Sequence, residues 1–250
     1  MKFIAIIPAR YGSSRFPGKP LAMLGDKTVI QRVYEQVSNA LDNVLVATDD
    51  ERIFNHVLSF GGKAIMTGTH HRSGTDRCWE AYKKNGENED IIINVQGDEP
   101  FIHPEQIETI KKCFEDETTD IATLVKPFDQ QRIYTELENP NTAKVVFDSN
   151  MNALLFSRSI IPHIRGVDKA QWPSKHQYYT HLGMYAYRSA VLKQITKMEP
   201  SALEIAESLE QLRWLENGLK IKVGITQHSS IGIDSLHDLE RAEQFLKKQS

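Results

Sequence analysis

Asp90-Ile91-Ile92-Ile93-Asn94-Val95-Gln96 is the stretch that decides the fold. A run so densely apolar has no polar face to show to water, which is the pattern of a strand buried on both faces of a parallel sheet. Gly97-Asp98-Glu99-Pro100 follows it, so the strand delivers a carboxylate at its carboxyl end. Upstream, the chain alternates strand and helix. Residues 3–8 predict a strand, and a Gly/Pro-rich loop runs from there through Pro20. Ile30, Val33, Val37 and Leu41 recur at helical spacing. Residues 43–48 form a β-branched strand, with Asp49-Asp50 at the next helix start. Ile53, Val57 and Phe60 stripe that helix and Gly61-Gly62 ends it. A short strand at 63–66, a helix at 73–84, a helix from Pro104 and a strand at 121–125 complete the series. This order predicts an α/β fold with a three-layer, mostly parallel, Rossmann-like sheet. Ligands of such sheets bind beyond the carboxyl ends of the strands.

The rhythm then changes. Residues 143–147, 153–156 and 178–187 predict longer strands without intervening helices, with Ser149-Asn150-Met151-Asn152 as a hairpin turn. The expectation is one domain over 1–250 carrying an antiparallel insertion at about 130–190 that pairs subunits. A helix at 202–216, a strand at 220–226 and a helix from Leu236 close the chain, the last with a capping pattern in Ser235 and Asp238.

Composition narrows the function. The 250 residues are 40% hydrophobic and 25% charged, which excludes a disordered tail. Thirty basic against 33 acidic side chains leave a net charge of −3, so no nucleic-acid partner is expected. No apolar stretch approaches the roughly eighteen residues of a membrane span, and no membrane partner is expected. The apolar run at 3–7 is too short for a signal-peptide core. Cys78 and Cys113, the two cysteines, have no paired spacing, and a reducing cytoplasm is the expected compartment. Charge is unevenly spread, however. Residues 1–20 carry Lys2, Arg10, Arg15 and Lys19 and no acid.

Three segments carry candidate chemistry. Pro8-Ala9-Arg10-Tyr11-Gly12-Ser13-Ser14-Arg15-Phe16-Pro17-Gly18-Lys19-Pro20 lies directly after the first strand, where a ligand loop belongs. Guanidinium forks and a lysine point charge suit phosphate oxygens. The loop is not a P-loop, because Gly12 to Gly18 is one residue too long and Pro20 replaces the magnesium-binding Ser/Thr. The second segment ends in Asp98, which could hold Mg²⁺ through oxygen. The third, Gly232-Ile233-Asp234-Ser235, places another acid after a strand; alone it reads as a turn or cap, and with Asp98 it would complete a two-carboxylate site. Ser73-Gly74-Thr75-Asp76-Arg77 is either an ordinary N-cap or a helix start aimed at a ligand. His181 reads as a structural strand histidine, Arg158 and Arg165 as surface residues, and Glu210-Gln211 as a solvated face off the stripe of Ile205, Leu209 and Leu212. His70-His71 lacks metal-ligand spacing. No GxGxxG follows the first strand, which disfavours a nicotinamide-dependent oxidoreductase. A non-catalytic nucleotide-binding protein would be expected to lack Lys19, Asp98 or Asp234.

Taken together, IPARYGSSRFPGKPL (7–21), VATD (46–49), SGTDR (73–77), NVQGDEP (94–100), HLGMYAYR (181–188), LEQLR (209–213) and GIDSLHDLE (232–240) resemble the 3-deoxy-manno-octulosonate cytidylyltransferase (CMP-Kdo synthetase) family over nearly the whole chain. The resemblance implies a nucleotidyltransferase that moves cytidylyl from CTP to the anomeric 2-hydroxyl of Kdo and releases pyrophosphate. It also implies Mg²⁺ as cofactor, a cytoplasmic homodimer joined through the antiparallel insertion, and a place in lipopolysaccharide biosynthesis. By motif position, Arg10, Ser13, Ser14, Arg15 and Lys19 would hold the triphosphate and Arg77 would help recognise the cytidine. Lys19, Asp98 and Asp234 would be catalytic, the two carboxylates as metal ligands. Gln96, Arg158, Arg165, His181, Tyr185, Glu210 and Gln211 would line the Kdo side. Asp76 stands where Glu is common in the family, and Ser235-Leu236-His237 replaces the more usual Thr-Pro-Glu; neither change removes a ligand. An 8-amino-Kdo or sialic acid acceptor stays open.

Overall fold

The apolar runs become strands in the order the sequence suggests. In a computed structural model of the chain, every residue is described except Ser13, Ser14, Ser230, Ser250 and the side chain of Gln249. The elements are β1 (Phe3–Ala9), the small hairpin β2 (Met23–Leu24) and β3 (Lys27–Thr28), α1 (Val29–Ser38), β4 (Val44–Thr48), α2 (Glu51–Ser59), β5 (Ala64–Met66), α3 (Gly74–Lys84), β6 (Ile91–Asn94) and α4 (Pro104–Lys112). They continue with β7 (Ile121–Pro127), α5 (Tyr134–Leu137), β8 (Lys144–Phe147), β9 (Ala153–Ser157), α6 (Trp172–Lys175) and β10 (Tyr179–Arg188). The last are α7 (Ser189–Ile195), α8 (Ala202–Glu207), α9 (Gln211–Glu216), β11 (Ile221–Ile225) and α10 (Leu236–Gln249). No helix among the described residues is long and apolar enough to cross a membrane.

These elements form two compact units. The first comprises residues 1–108, 186–196 and 229–250. Its sheet runs β5-β4-β1-β6, with every pair parallel and β1 in register with both neighbours (Ile6 opposite Leu45 and Asn94). β4 and β6 are buried along their whole length, as strands covered on both faces must be. Right-handed crossovers place α1 and α2 on one face, because the chain steps outward from β1 to β4 to β5. The return to β6 reverses that direction and puts α3 on the other face, against β1 and β6. The reversal makes the carboxyl end between β1 and β6 the crevice where ligands of such sheets bind. A satellite cluster of Leu24, Val29, Ile233 and Ala242, with Leu239 and Leu246 beside it, docks α10 onto the β2–β3 hairpin.

The second unit, residues 109–185 and 197–228, pairs β7 with β11 in parallel and folds β8, β9 and β10 antiparallel. The β8–β9 turn falls where predicted. The Asp148 carboxylate accepts the backbone N–H groups of Asn150 and Asn152, and Met151 takes a positive φ of 63°. Phe128, Leu137, Trp172 and Tyr178 form the cluster under the long connection.

Several expectations are corrected here. The strands expected to lack intervening helices have α6 between β9 and β10, while α5, which precedes β8, and α7, which follows β10, have no counterpart in the sequence reading. The predicted helix at 202–216 is two helices, broken at Ser208 in a left-handed conformation (φ 50°). Arg158 holds the break: its Nε donates to Glu207 O at 2.6 Å and an Nη to Ser208 O at 3.2 Å, satisfying carbonyls a continuous helix would have used. The break also rotates the expected stripe. Ile205 is 69% exposed, while Gln211, read as solvated, is buried.

Candidate active site

A cavity of about 270 Å³ opens in the first unit at the carboxyl end of β1 and β6, walled by Pro8, Ala9, Arg10, Gln96, Gly97 and Asp98. The loop after β1 is closed on itself. Gly18 N–H donates to Tyr11 O at 2.9 Å, and the Tyr11 ring lies between Gly18 and the Arg52 guanidinium, 3.4 Å from the ring centroid. Gly18 has φ +74°, and a Cβ there would stand 3.1 Å from the Tyr11 ring, so the closure depends on glycine. The chain then enters a short 3₁₀ turn at Lys19–Leu21, which buries Pro20 and turns the Lys19 side chain inward.

From there Lys19 Nζ reaches Asp98 Oδ2 at 2.5 Å and Asp234 Oδ1 at 3.1 Å. Arg15 contacts the other Asp234 oxygen at 3.0 Å. The two carboxylates predicted from separate motifs therefore converge on one cationic nitrogen. Asp98 arrives through a tight turn at Gly97, where a Cβ would lie 2.7 Å from Pro8 O. Asp234 is carried in by the segment before α10, with Ile233 N–H donating to Asp98 O at 2.9 Å. The Asp238 carboxylate accepts the Ser235 hydroxyl and the Asp234 N–H, fixing that helix start. Hard oxygens from two carboxylates around one cation form a donor set suited to a divalent ion such as Mg²⁺.

Other predicted residues fall variously. Arg10 and Arg15 line the cavity; Ser13 and Ser14 lie outside the described residues. Arg77 lines it too, yet its guanidinium is already engaged: Nη1 with Thr67 Oγ1 (2.6 Å) and Gly68 O (3.3 Å), Nη2 with Asp49 Oδ2 (2.7 Å). Gln96, placed by resemblance on the sugar side, lines the same cavity as Arg10, Arg15 and Lys19, which the resemblance places on the triphosphate.

The second unit holds the rest. His181 packs edge-on against Phe156 (5.2 Å) and beside Tyr185 (5.2 Å), with Nε2 3.0 Å from Thr123 Oγ1. Burial pushes its imidazole down to about 4, so it is neutral near pH 7. Tyr185 in turn meets Trp214 at 5.1 Å. Glu210 pairs with Arg213 at 2.8 Å, and Gln211 Nε2 is buried with no hydrogen-bond partner among the described residues. Arg158 gives its third contact to Pro140 O at 2.8 Å. Arg165 is exposed in the loop between β9 and α6.

Sequence reasoning missed three groups. Lys144 is fully buried, and its ammonium donates to the carbonyls of Asn139, Thr142 and Arg158. Its alternating strand position was the only signal. Asp49 was visible in the VATD run but not as the partner of Arg77. Glu80 comes within reach of His70 and His71, which sequence spacing did not suggest, although its oxygens are also held by Lys84 and the Gly68 N–H.

Comparison with known proteins meets this geometry from outside. The cytidylyltransferase family model matches residues 4–221. The chain is 62% identical over its full 250 residues to the 3-deoxy-manno-octulosonate cytidylyltransferase of Bacteroides thetaiotaomicron, covering all of both proteins. It is 63% identical over 247 residues to that of Parabacteroides distasonis, covering 98% of each. The chain belongs to the 3-deoxy-manno-octulosonate cytidylyltransferase family. A solved structure of CMP:2-keto-3-deoxy-manno-octonic acid synthetase complexed with CTP superposes with a TM-score of 0.91 at 40% identity, over the whole of both chains. This cytidylyltransferase is thus a nucleotidyltransferase, and its mostly parallel sheet with helices on both sides is the fold the resemblance implied.

Proposed function

We infer that the chain catalyses CTP + Kdo → CMP-Kdo + pyrophosphate. The observation that carries this is the convergence of Lys19, Arg15, Asp98 and Asp234 on one cavity at the switch point of a cytidylyltransferase sheet. In-line attack at the α-phosphorus needs positioning and charge neutralisation more than a covalent enzyme group. Arg10, Arg15 and Lys19 bind the triphosphate, with Ser13 and Ser14 as further loop contacts. Arg77 shapes the cytidine side through Asp49 and Thr67, and Gln96 is assigned to the acceptor.

Asp98 and Asp234 would hold Mg²⁺, which supplies charge neutralisation and a lowered pKa for the attacking hydroxyl. Lys19 and Arg15, which pair with these carboxylates, are the cations that would meet the phosphate oxygens. The acceptor acid is bound by Arg158, Arg165, His181, Tyr185, Glu210 and Gln211. Neutral His181 offers hydrogen bonds rather than charge, and buried Gln211 Nε2 is a donor in want of a sugar oxygen. The protein works as a cytoplasmic homodimer in lipopolysaccharide biosynthesis. In support of pairing, β9 of the antiparallel insertion exposes Leu154 and Leu155.

The test is purified protein with CTP, Mg²⁺ and a panel of Kdo, 8-amino-Kdo and sialic acid, reading pyrophosphate release. Turnover with Kdo is expected. Preference for another acid reassigns the acceptor, and CTP binding without turnover on any acid indicates a non-catalytic protein.

A further inference from the structure

His71 and Glu80 form an imidazole–carboxylate pair on the cavity wall that no step above uses. One Glu80 oxygen pairs with Lys84 at 2.7 Å; the other accepts the Gly68 N–H at 3.0 Å and contacts His71 Nε2. Burial would raise the Glu80 carboxyl, but Lys84, the Gly68 N–H and His71 hold it at about 2, so it is an anion at any working pH. The hydrogen in the contact therefore sits on His71 Nε2, which fixes the tautomer and leaves Nδ1 as the ring nitrogen that Glu80 does not engage. Gly68 has no side chain, leaving room for the His70 ring, which lies tilted by 37° against His71 with centroids 4.5 Å apart. Among the described residues, Glu80 and His70 touch His71, Lys84 reaches it through Glu80, and Arg10, Arg15, Lys19, Arg72, Arg77, Asp98 and Asp234 are the charged groups lining the same cavity. His71 and Arg72 line the cavity that also holds Lys19 and Arg15.

We propose that His71, oriented by Glu80, is a nucleotide-binding residue that donates its Nδ1–H as an imidazolium to a phosphate oxygen of the triphosphate. The contact makes and breaks no covalent bond. It rests on the cytidylyltransferase reading and adds to the binding site a group whose charge depends on pH. A bound polyanion must then raise the imidazole pKa, and protonation must tighten nucleotide binding by the same factor.

CTP binding to the full-length wild type, His71→Gln and Glu80→Gln proteins is measured by calorimetry from pH 5.5 to 8.5 without sugar acid. The His71 ring is followed by NMR in the wild type with and without CTP. Comparing proteins at each pH cancels the titration of CTP itself. Wild type is expected to bind roughly tenfold or more tightly than His71→Gln at pH 6, with the ratio shrinking toward one by pH 8.5. In Glu80→Gln that decline moves to lower pH. Saturating CTP raises the His71 pKa in the wild type, a readout that holds even where a variant fails to fold. A pH-independent affinity ratio, or a ring pKa that CTP leaves in place, overturns the role of His71 alone. Absence of CTP binding by the wild type across the range overturns the cytidylyltransferase reading together with it.

Discussion

Arg77 shows how a residue can stand at a binding cavity and still be held by the fold. Its guanidinium ties α3 to the carboxyl end of β4 through Asp49 and to the chain after β5 through Thr67 and Gly68. Both members of the Arg77–Asp49 pair are largely buried, with side chains 5% and 15% exposed. Removing one leaves the other charge desolvated, which costs about 3 kcal/mol. Arg77→Met is expected to lower the unfolding free energy by that amount, read as a lower urea midpoint at unchanged slope, and adding Asp49→Leu to recover part of the loss. Equal midpoints for wild type and Arg77→Met would show that the pair contributes nothing. His181 supplies a pH dependence of definite sign. The unfolded imidazole takes up a proton below about 6.5, the folded one only below about 4. Between these values the unfolded state binds more protons, so stability falls as the solution is acidified, by at most about 3 kcal/mol. His181→Gln should flatten the pH dependence of the unfolding free energy across that window, and an unchanged slope would place the acid sensitivity elsewhere.

At the scale of elements, the site depends on how closely strand ends approach. Gly97 lets the turn after β6 pass against β1, where any side chain would collide with Pro8 O. Gly97→Ala should therefore shift Asp98 and cut turnover about 10²-fold, as misplacement by about 1 Å can. Pyrophosphate release from a variant verified as folded measures this, and near-normal turnover would mean that the turn yields freely. At Ser208 the strain is local. A left-handed residue other than glycine costs about 1–2 kcal/mol, so Ser208→Gly should raise the unfolding free energy by up to about that amount with α8 and α9 unchanged. The same two positions mark the limit of what the sequence discloses. The strands were legible because Ile91–Asn94 and Val44–Thr48 are apolar on both faces, and α2 and α3 because Asp50 and Ser73 cap them. Lys19, Asp98 and Asp234 were legible as chemistry in loops that follow strands. The break at Ser208 was not, because its cause is Arg158, fifty residues away in the chain. Partnerships such as Arg77 with Asp49, or His71 with Glu80, exist only once separate elements are brought together.

At the scale of the molecule, the cavity joins the two ends of the chain. Arg15 and Lys19 come from the first loop and Asp234 from the entry to the last helix, and Ile233 anchors that entry to Asp98. What holds the C-terminal segment in place is apolar: Ile233 and Ala242 are fully buried against Leu24 and Val29, with Leu246 at the edge. Stability of this docking is thereby coupled to the geometry of one carboxylate, while Asp98 is carried independently by the turn after β6. Ala242→Glu would bury an unpaired carboxylate in the cluster, which is costly enough to release the helix. The expected result is faster hydrogen exchange confined to 229–250 and a raised Mg²⁺ requirement for pyrophosphate release. If Asp234 is the ligand proposed, Asp234→Asn should produce the same metal phenotype with normal exchange protection. If Ala242→Glu frees the helix yet leaves the Mg²⁺ dependence as in wild type, Asp234 is not a ligand and Asp98 must hold the ion without it.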